Sequence, residues 1–228
     1  MWTLAVETSG RVASLAFLKD DRCVLIRSLD ESGRRHARTL VASVRGCCRE
    51  LGIIPAELGL IVVSEGPGSF TGLRVGVVFA KVLAFTHQIP LAAVNTLTVI
   101  AAGQAKVSGA IWPLIDAQRG DVFTARHEFQ SDGRCCPSEP VRIISWNKLT
   151  NEVGSEDLLT GPALERFREN VRPEFQIAES DCWCPSAERL GFLGLRKMEG
   201  NELVDPIKLV PFYLRPSAAE EKWNSQYP

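Results

Sequence analysis

Histidine is scarce in this chain, and its three copies form no ligand pattern. His36, His87 and His127 stand far apart with no HxxxH pair, so local sequence cannot assemble a helical two-histidine metal site. Gly-x-Ser-x-Gly is missing too. The stretch Gly66-Pro67-Gly68-Ser69-Phe70-Thr71-Gly72 has the wrong order for a strained nucleophile elbow, and no Ser/His/Asp triad follows from it. No Cys-x-x-Cys occurs among the seven cysteines at 23, 47, 48, 135, 136, 182 and 184. An odd number with two adjacent pairs is a poor zinc site and a poor disulfide framework, which points to a reducing cytoplasm. The sequence therefore predicts no catalytic residue and no metal ligand. Net charge is lacking as well: 26 basic residues against 27 acidic ones leave −1, so no global field draws in nucleic acid. The opening residues MWTLAVETSG have no basic n-region, so no signal peptide is expected. No window of about 18 residues is both apolar and free of charge, so no membrane span is expected. Nor does a low-complexity linker divide the chain.

What is present is ordinary in amount and unusual in arrangement. At 228 residues and 45% hydrophobic content, the chain can bury one large core or two. Its most informative stretch is EGPGSFTGLRVGVVFAKVLAF, residues 65–85. An apolar run at 60–63 precedes it and predicts a strand buried on both faces. Small residues follow, and Ser69 or Thr71 is placed to cap a helix that begins near Gly72. From Leu73 to Phe85 only Arg74 and Lys81 are charged, and they share one narrow stripe. A helix apolar nearly all round must be covered on both sides.

Strands over 2–6, 12–18 and 23–29 predict an opening antiparallel meander. Arg34-Arg35-His36-Ala37-Arg38 then leads into a helix over 37–51; this basic start is either a solvated end or a phosphate contact. Ala37, Leu40, Val41, Val44, Cys48 and Leu51 form the helix's apolar stripe, while Ala42 and Gly46, beside Ser43 and Cys47, leave room for a second helix. A strand over 90–94, a helix over 96–105 and a strand over 110–115 come next. The second half predicts a strand over 140–144, a turn of helix over 145–150 and a strand near 157–159. A helix over 163–170, a short strand over 175–178 and a helix over 185–198 complete it. His87 and His127 read as polar positions at element ends.

The plan repeats. VETSGRVAS near Glu7 and IDAQRGDVFT near Asp116 both run strand, carboxylate, small-residue turn, strand, about half the chain apart. The predicted fold class is α/β with two similar lobes, one over 1–106 and a smaller one over 107–228, with a loose tail over 216–228. Paired hairpins of this kind resemble the actin-like, Hsp70 and sugar-kinase (ribonuclease H-like) superfold. That resemblance implies ATP between the lobes, phosphates at the hairpin turns, a metal at the carboxylates and adenosine against a double glycine. Here the second position of that pair is Pro162.

LAVETSGRVASLAFL, GRRHARTLV, SEGPGSFTGLRVGVVFAKVLA, LIDAQRGDVF and PFYLRP are together similar to the TsaB family of tRNA threonylcarbamoyladenosine biosynthesis proteins (YeaZ-type), from Trp2 to Pro216. GPGSFTGLR is a nine-residue block, far more specific than a bare glycine pattern. Glu7, Gly10 and Gln118 depart from the usual residues at their positions. The resemblance implies a non-catalytic partner of a TsaD-type catalytic subunit, with a TsaE-type ATPase, in a complex that places threonylcarbamoyl on an anticodon-loop adenosine of tRNA. It also implies association through the two helices of the first lobe.

The residues give the same surface independently. Leu40, Ser43, Val44 and Cys47 of the first helix, with Arg74, Val75, Val78, Phe79 and Val82 of the second, form half of a four-helix bundle with a partner, or with a second copy when the chain is alone. The other arrangement sandwiches the second helix within its own domain. Glu7, Thr8, Ser9, Gly66, Gly68, Ser69 and Asp116 compose a degenerate nucleotide site. Its carboxylates either flank a magnesium–nucleotide or accept hydrogen bonds from turn N–H groups, and Pro162 favours the second. The glycine loop either cradles phosphate or lets helix and hairpin pack closely. No cofactor is expected. Three functions fit: a scaffold of the tRNA-modifying complex, an ATP-dependent phosphotransferase, or a peptidase, the last opposed by the missing ligands and triad.

Overall fold

A computed structural model of the chain describes residues 1–29, 36–105 and 107–215, the side chains of residues 36–38 excepted. The predicted tail and most of the Arg34–Arg38 start therefore lie outside the described residues. The first lobe runs β1 (Trp2–Glu7), β2 (Ser14–Lys19), β3 (Arg22–Ser28), α1 (His36–Leu51), β4 (Leu58–Gly66), α2 (Phe70–His87), β5 (Leu91–Asn95) and α3 (Thr96–Ala101). Its sheet has the order β3-β2-β1-β4-β5, antiparallel along the meander and parallel from β1 through β4 to β5. The continuous apolar run of β4 is explained by cover on both faces. Ile61 and Val63 face the α1–α2 layer, whereas Leu60 and Val62 face the opposite core.

The second lobe runs β6 (Ile111–Gln118), β7 (Asp121–Thr124), β8 (His127–Phe129), β9 (Cys135–Pro137), β10 (Arg142–Ser145), α4 (Trp146–Leu149), β11 (Leu158–Thr160), α5 (Ala163–Phe167) and β12 (Gln176–Ile177), and α6 (Ala187–Glu199) follows it in the chain. Its main path, β10-β7-β6-β11-β12, is antiparallel twice and then parallel twice, the pattern of the first sheet. The repeat suspected from two hairpins is a repeat of the whole sheet.

Three differences from the sequence reading have clear causes. Helix α6 was expected to complete the second lobe, but it crosses back and covers the first sheet. Gly191 and Gly194 permit this: a Cβ would stand 2.4 Å from Leu18 and 2.2 Å from Val62 respectively. Strands β8 and β9 are too short for a period-2 signal and go unseen in the sequence. His127 does begin an element, β8, but its burial in the core, at 1% exposure, left no local signal. Its ring nitrogens reach the Ala125 carbonyl at 2.8 Å and Thr98 Oγ1 at 3.1 Å, tying β8 to α3.

Burial holds the His127 imidazole neutral, lowering its pKa from 6.5 to about 4. Between those values the unfolded chain binds the extra proton, so folding stability drops as pH falls through this window. Urea titrations of the wild type and His127→Gln at pH 7 and pH 5 test this. The variant's stability is expected to change less between the two, and an equal change would remove His127 as the cause.

Helix α2 starts where Ser69 Oγ accepts from the Gly72 N–H at 3.3 Å, one of the two caps expected. By length and composition it could cross a membrane. Here Val77, Ala80 and Ala84 instead pack into the core beneath the sheet, and Leu73 is buried at the helix start. Both its charges meet a C-terminal strap, residues 202–215. The Arg74 Nε donates to Tyr213 Oη at 3.2 Å, and Lys81 Nζ donates to the carbonyls of Ile207 and Leu209.

Candidate functional site

Two places gather the residues singled out by sequence: the cleft between the lobes and the outer face of α1 and α2. The cleft encloses about 680 Å³, with Ser9, Ser69, Asp116, Gln118, Pro162 and Tyr213 among its walls. Glu7 ends β1 two residues before Ser9 and is fully buried. One carboxylate oxygen accepts from the Ser9 N–H at 2.7 Å, the Ser9 hydroxyl at 2.5 Å and the Ser64 hydroxyl at 3.0 Å. The other has no partner among the described residues. Burial raises the Glu7 pKa, and the bonds from Ser9 and Ser64 offset part of that rise.

The glycine loop is occupied by the first hairpin. Ser69 donates its N–H to the Ser9 carbonyl at 2.8 Å. A Cβ on Gly68 would stand 2.5 Å from that carbonyl, and one on Gly72 would stand 2.0 Å from the Thr8 carbonyl. A Cβ on Gly76 would meet Thr8 Oγ1 at 2.1 Å. Gly66, at φ +120°, lets the strap close in, and the Phe212 N–H donates to the Glu65 carbonyl at 2.7 Å. These contacts use the glycines for close packing.

Asp116 sits at the matching end of β6. It pairs with Arg166 at 2.8 Å and accepts from the Gln118 N–H at 2.8 Å. Arg215 of the strap bonds the Ala117 carbonyl and pairs with Asp121 at 2.8 Å, so the strap touches both lobes. A magnesium–nucleotide of the superfold's kind does not fit these residues. Glu7 is sealed under its own turn, Asp116 is ion-paired with Arg166, and Pro162 occupies the second position of the glycine pair that the superfold resemblance implies. Both carboxylates make the turn contacts that the structural reading expected. Among the described residues, no three His, Cys, Asp or Glu side chains come together as metal ligands.

The helical face differs in kind. Val78 is 58% exposed, Val82 60%, Phe85 64% and Val41 of α1 56%. Between the helices lies a groove of about 450 Å³ floored by Leu40, Val75 and Phe79 and rimmed by Val41, Val78 and Val82. Of the predicted interface residues, Arg74, Val75, Val78, Phe79 and Val82 reach this surface, and Ser43 is half-buried beside it. Leu40, 1% exposed, reaches the surface only as the floor of the groove, whereas Val44 and Cys47 require correction, since they are at most 4% exposed and belong to the lobe's own core. A helix turns 100° per residue, so the inward stripe reaches Cys47 and swings Val41 outward. Val41 and Phe85 were missed, although Phe85 stands three residues beyond Val82, within the spacing that marks one helix face. Tyr213, 4.6 Å from Phe70, and Arg215 were missed because contacts between distant segments leave no local signal.

A family model for TsaD, tRNA N6-adenosine threonylcarbamoyltransferase, matches residues 30–136. The tRNA threonylcarbamoyladenosine biosynthesis protein TsaB of Bacillus subtilis is 31% identical over 229 residues, covering 98% of each chain. That of Escherichia coli is 28% identical over 97% of this chain and 98% of its own. The crystal structure of YeaZ from Pseudomonas aeruginosa superposes with a TM-score of 0.81 at 25% identity, covering 93% of this chain and 99% of that one. With near-complete coverage in both directions, the chain belongs to the TsaB family of tRNA threonylcarbamoyladenosine biosynthesis proteins.

Proposed function

We propose that this chain is a non-catalytic scaffold in the cytoplasmic synthesis of threonylcarbamoyladenosine on tRNA, and that it acts by docking a TsaD-type catalytic subunit on the α1–α2 face. A TsaE-type ATPase completes the assembly, and tRNA is engaged through the complex. One observation carries the reading: Val41, Val78, Val82 and Phe85 form an apolar ridge on two helices whose other sides are already packed. A surface of this kind loses free energy in water and gains it when another polypeptide covers it. The names of the relatives supply the pathway, and the match to the TsaD family model makes a partner of the same fold a natural one.

A second reading, nucleotide chemistry in the cleft, is favoured only by the cleft's size. The engaged state of Glu7, Asp116 and the glycine loop opposes it, and we propose no cofactor.

Size-exclusion chromatography with light scattering tests the scaffold reading, on the chain alone and then with the catalytic subunit. A joint peak is expected, together with loss of threonylcarbamoyl transfer when the chain is omitted. Separate elution with undiminished transfer would sink the reading. Titration of the chain with ATP in a calorimeter is expected to give no heat of binding, and tight binding with turnover would favour the phosphotransferase.

A further inference from the structure

The docking face carries charge of one sign. Helix α2 contains no acidic residue, and α1 contains only Glu50, whose carboxylate is held by Arg27 at 2.6 Å. Against these stand three exposed arginines, Arg45 and Arg49 on α1 and Arg74 on α2, none with an ion-pair partner among the described residues. Arg45 lies one helical turn beyond Val41 and therefore on the same side of α1. Arg74 lies one turn before Val78 and lines the groove with it. Its guanidinium is set in place by Tyr213 and by the Phe70 ring, whose centre is 4.1 Å away. Beside Arg45, Gly46 is exposed with nothing within 4 Å of where a Cβ would stand, so the backbone of another helix can come close.

Resting on the scaffold reading above, we infer that this face selects a protein subunit whose apolar ridge is bordered by aspartate or glutamate, in preference to a second copy of this chain. The choice follows from the sign of the charges. A two-fold pairing sets the same patch against itself. Where α1 and α2 meet their own copies, these two helices offer their arginines no free carboxylate among the described residues, so self-pairing gathers like charges around a drying contact. An acidic border on a different subunit turns that repulsion into attraction and speeds the encounter. Salt screens both effects, so the two associations respond to it in opposite directions. Binding to the catalytic subunit weakens as salt rises, whereas self-association holds or strengthens.

The test uses the full chain with the catalytic subunit, by calorimetry and light scattering at 50 and 500 mM NaCl. The dissociation constant of the mixed complex is expected to rise about tenfold over this range. Arg45→Glu is expected to weaken the mixed complex about fivefold and to strengthen self-association. Val82→Glu, folded by circular dichroism, serves as the reference for the face itself. If Val82→Glu abolishes the mixed complex but Arg45→Glu and salt leave it unchanged, the charge selection is overturned and the scaffold reading stands. If Val82→Glu binds normally, docking at this face fails, and the selection with it. A mixed complex and a self-association that weaken together with salt would also overturn it. So would an Arg45→Glu variant that loses tRNA retention while binding the subunit fully, since the arginines would then serve nucleic acid.

Discussion

Val78→Lys and Val82→Glu are each expected to weaken binding to the catalytic subunit by a hundredfold or more while leaving the chain folded. Both side chains stand more than half exposed on α2, so a charge there costs the isolated protein little. Docking changes the account, because the ridge becomes dry and an unpaired charge trapped in it costs about 3–5 kcal/mol. At about 1.4 kcal/mol per factor of ten, that is two orders of magnitude or more in affinity. The two substitutions carry opposite signs. Their agreement would identify these two positions as part of the dry apolar ridge itself, inside any charged border, because a position facing that border would tolerate one of the two signs. Calorimetric titration reads the affinity, and circular dichroism with a thermal melt reads the fold. Unfolding in both variants would mean that these positions belong to the core, and undiminished affinity would mean that the partner docks elsewhere.

Gly72→Ala is expected to destabilise the chain by about 3 kcal/mol, a fall in melting temperature of roughly 6–12 °C for a domain of this size. The added methyl would stand 2.0 Å from the Thr8 carbonyl, a backbone atom fixed in the turn after β1. Gly76→Ala meets Thr8 Oγ1 at 2.1 Å, a side-chain atom that a change of χ1 can move where the backbone carbonyl cannot, so its effect should be somewhat smaller. On α1, Gly46→Ala meets nothing within 4 Å and should stabilise by up to about 1 kcal/mol through helix propensity alone. The ranking separates the two uses of the glycine loop left open by the sequence. A loop kept for phosphate would tolerate Gly72→Ala in the absence of ligand. A loop kept for seating the hairpin would not. Thermal melts of the three variants decide it.

Elements with strong local signals could be read before any coordinates. The unbroken apolar run of β4, the Ser69 cap, the long α2 and the matched carboxylate hairpins at Glu7 and Asp116 were all legible, as was the family through its nine-residue glycine block. So was the apolar excess on α2, because it lies within one helix. Tertiary structure alone decided which surface each helix covers. The α6 sequence fits either lobe, and only Gly191 against Leu18 and Gly194 against Val62 assign it to the first sheet. Cys47 and Val41 exchanged their expected places because a stripe's edge depends on how the helix is rolled onto its neighbours. His127 became a core residue because α3 closes over β8. In each case the deciding contact joins residues far apart in the chain. Periodicity and capping report only what happens within a few turns, and they say nothing of the neighbour that will exclude the water.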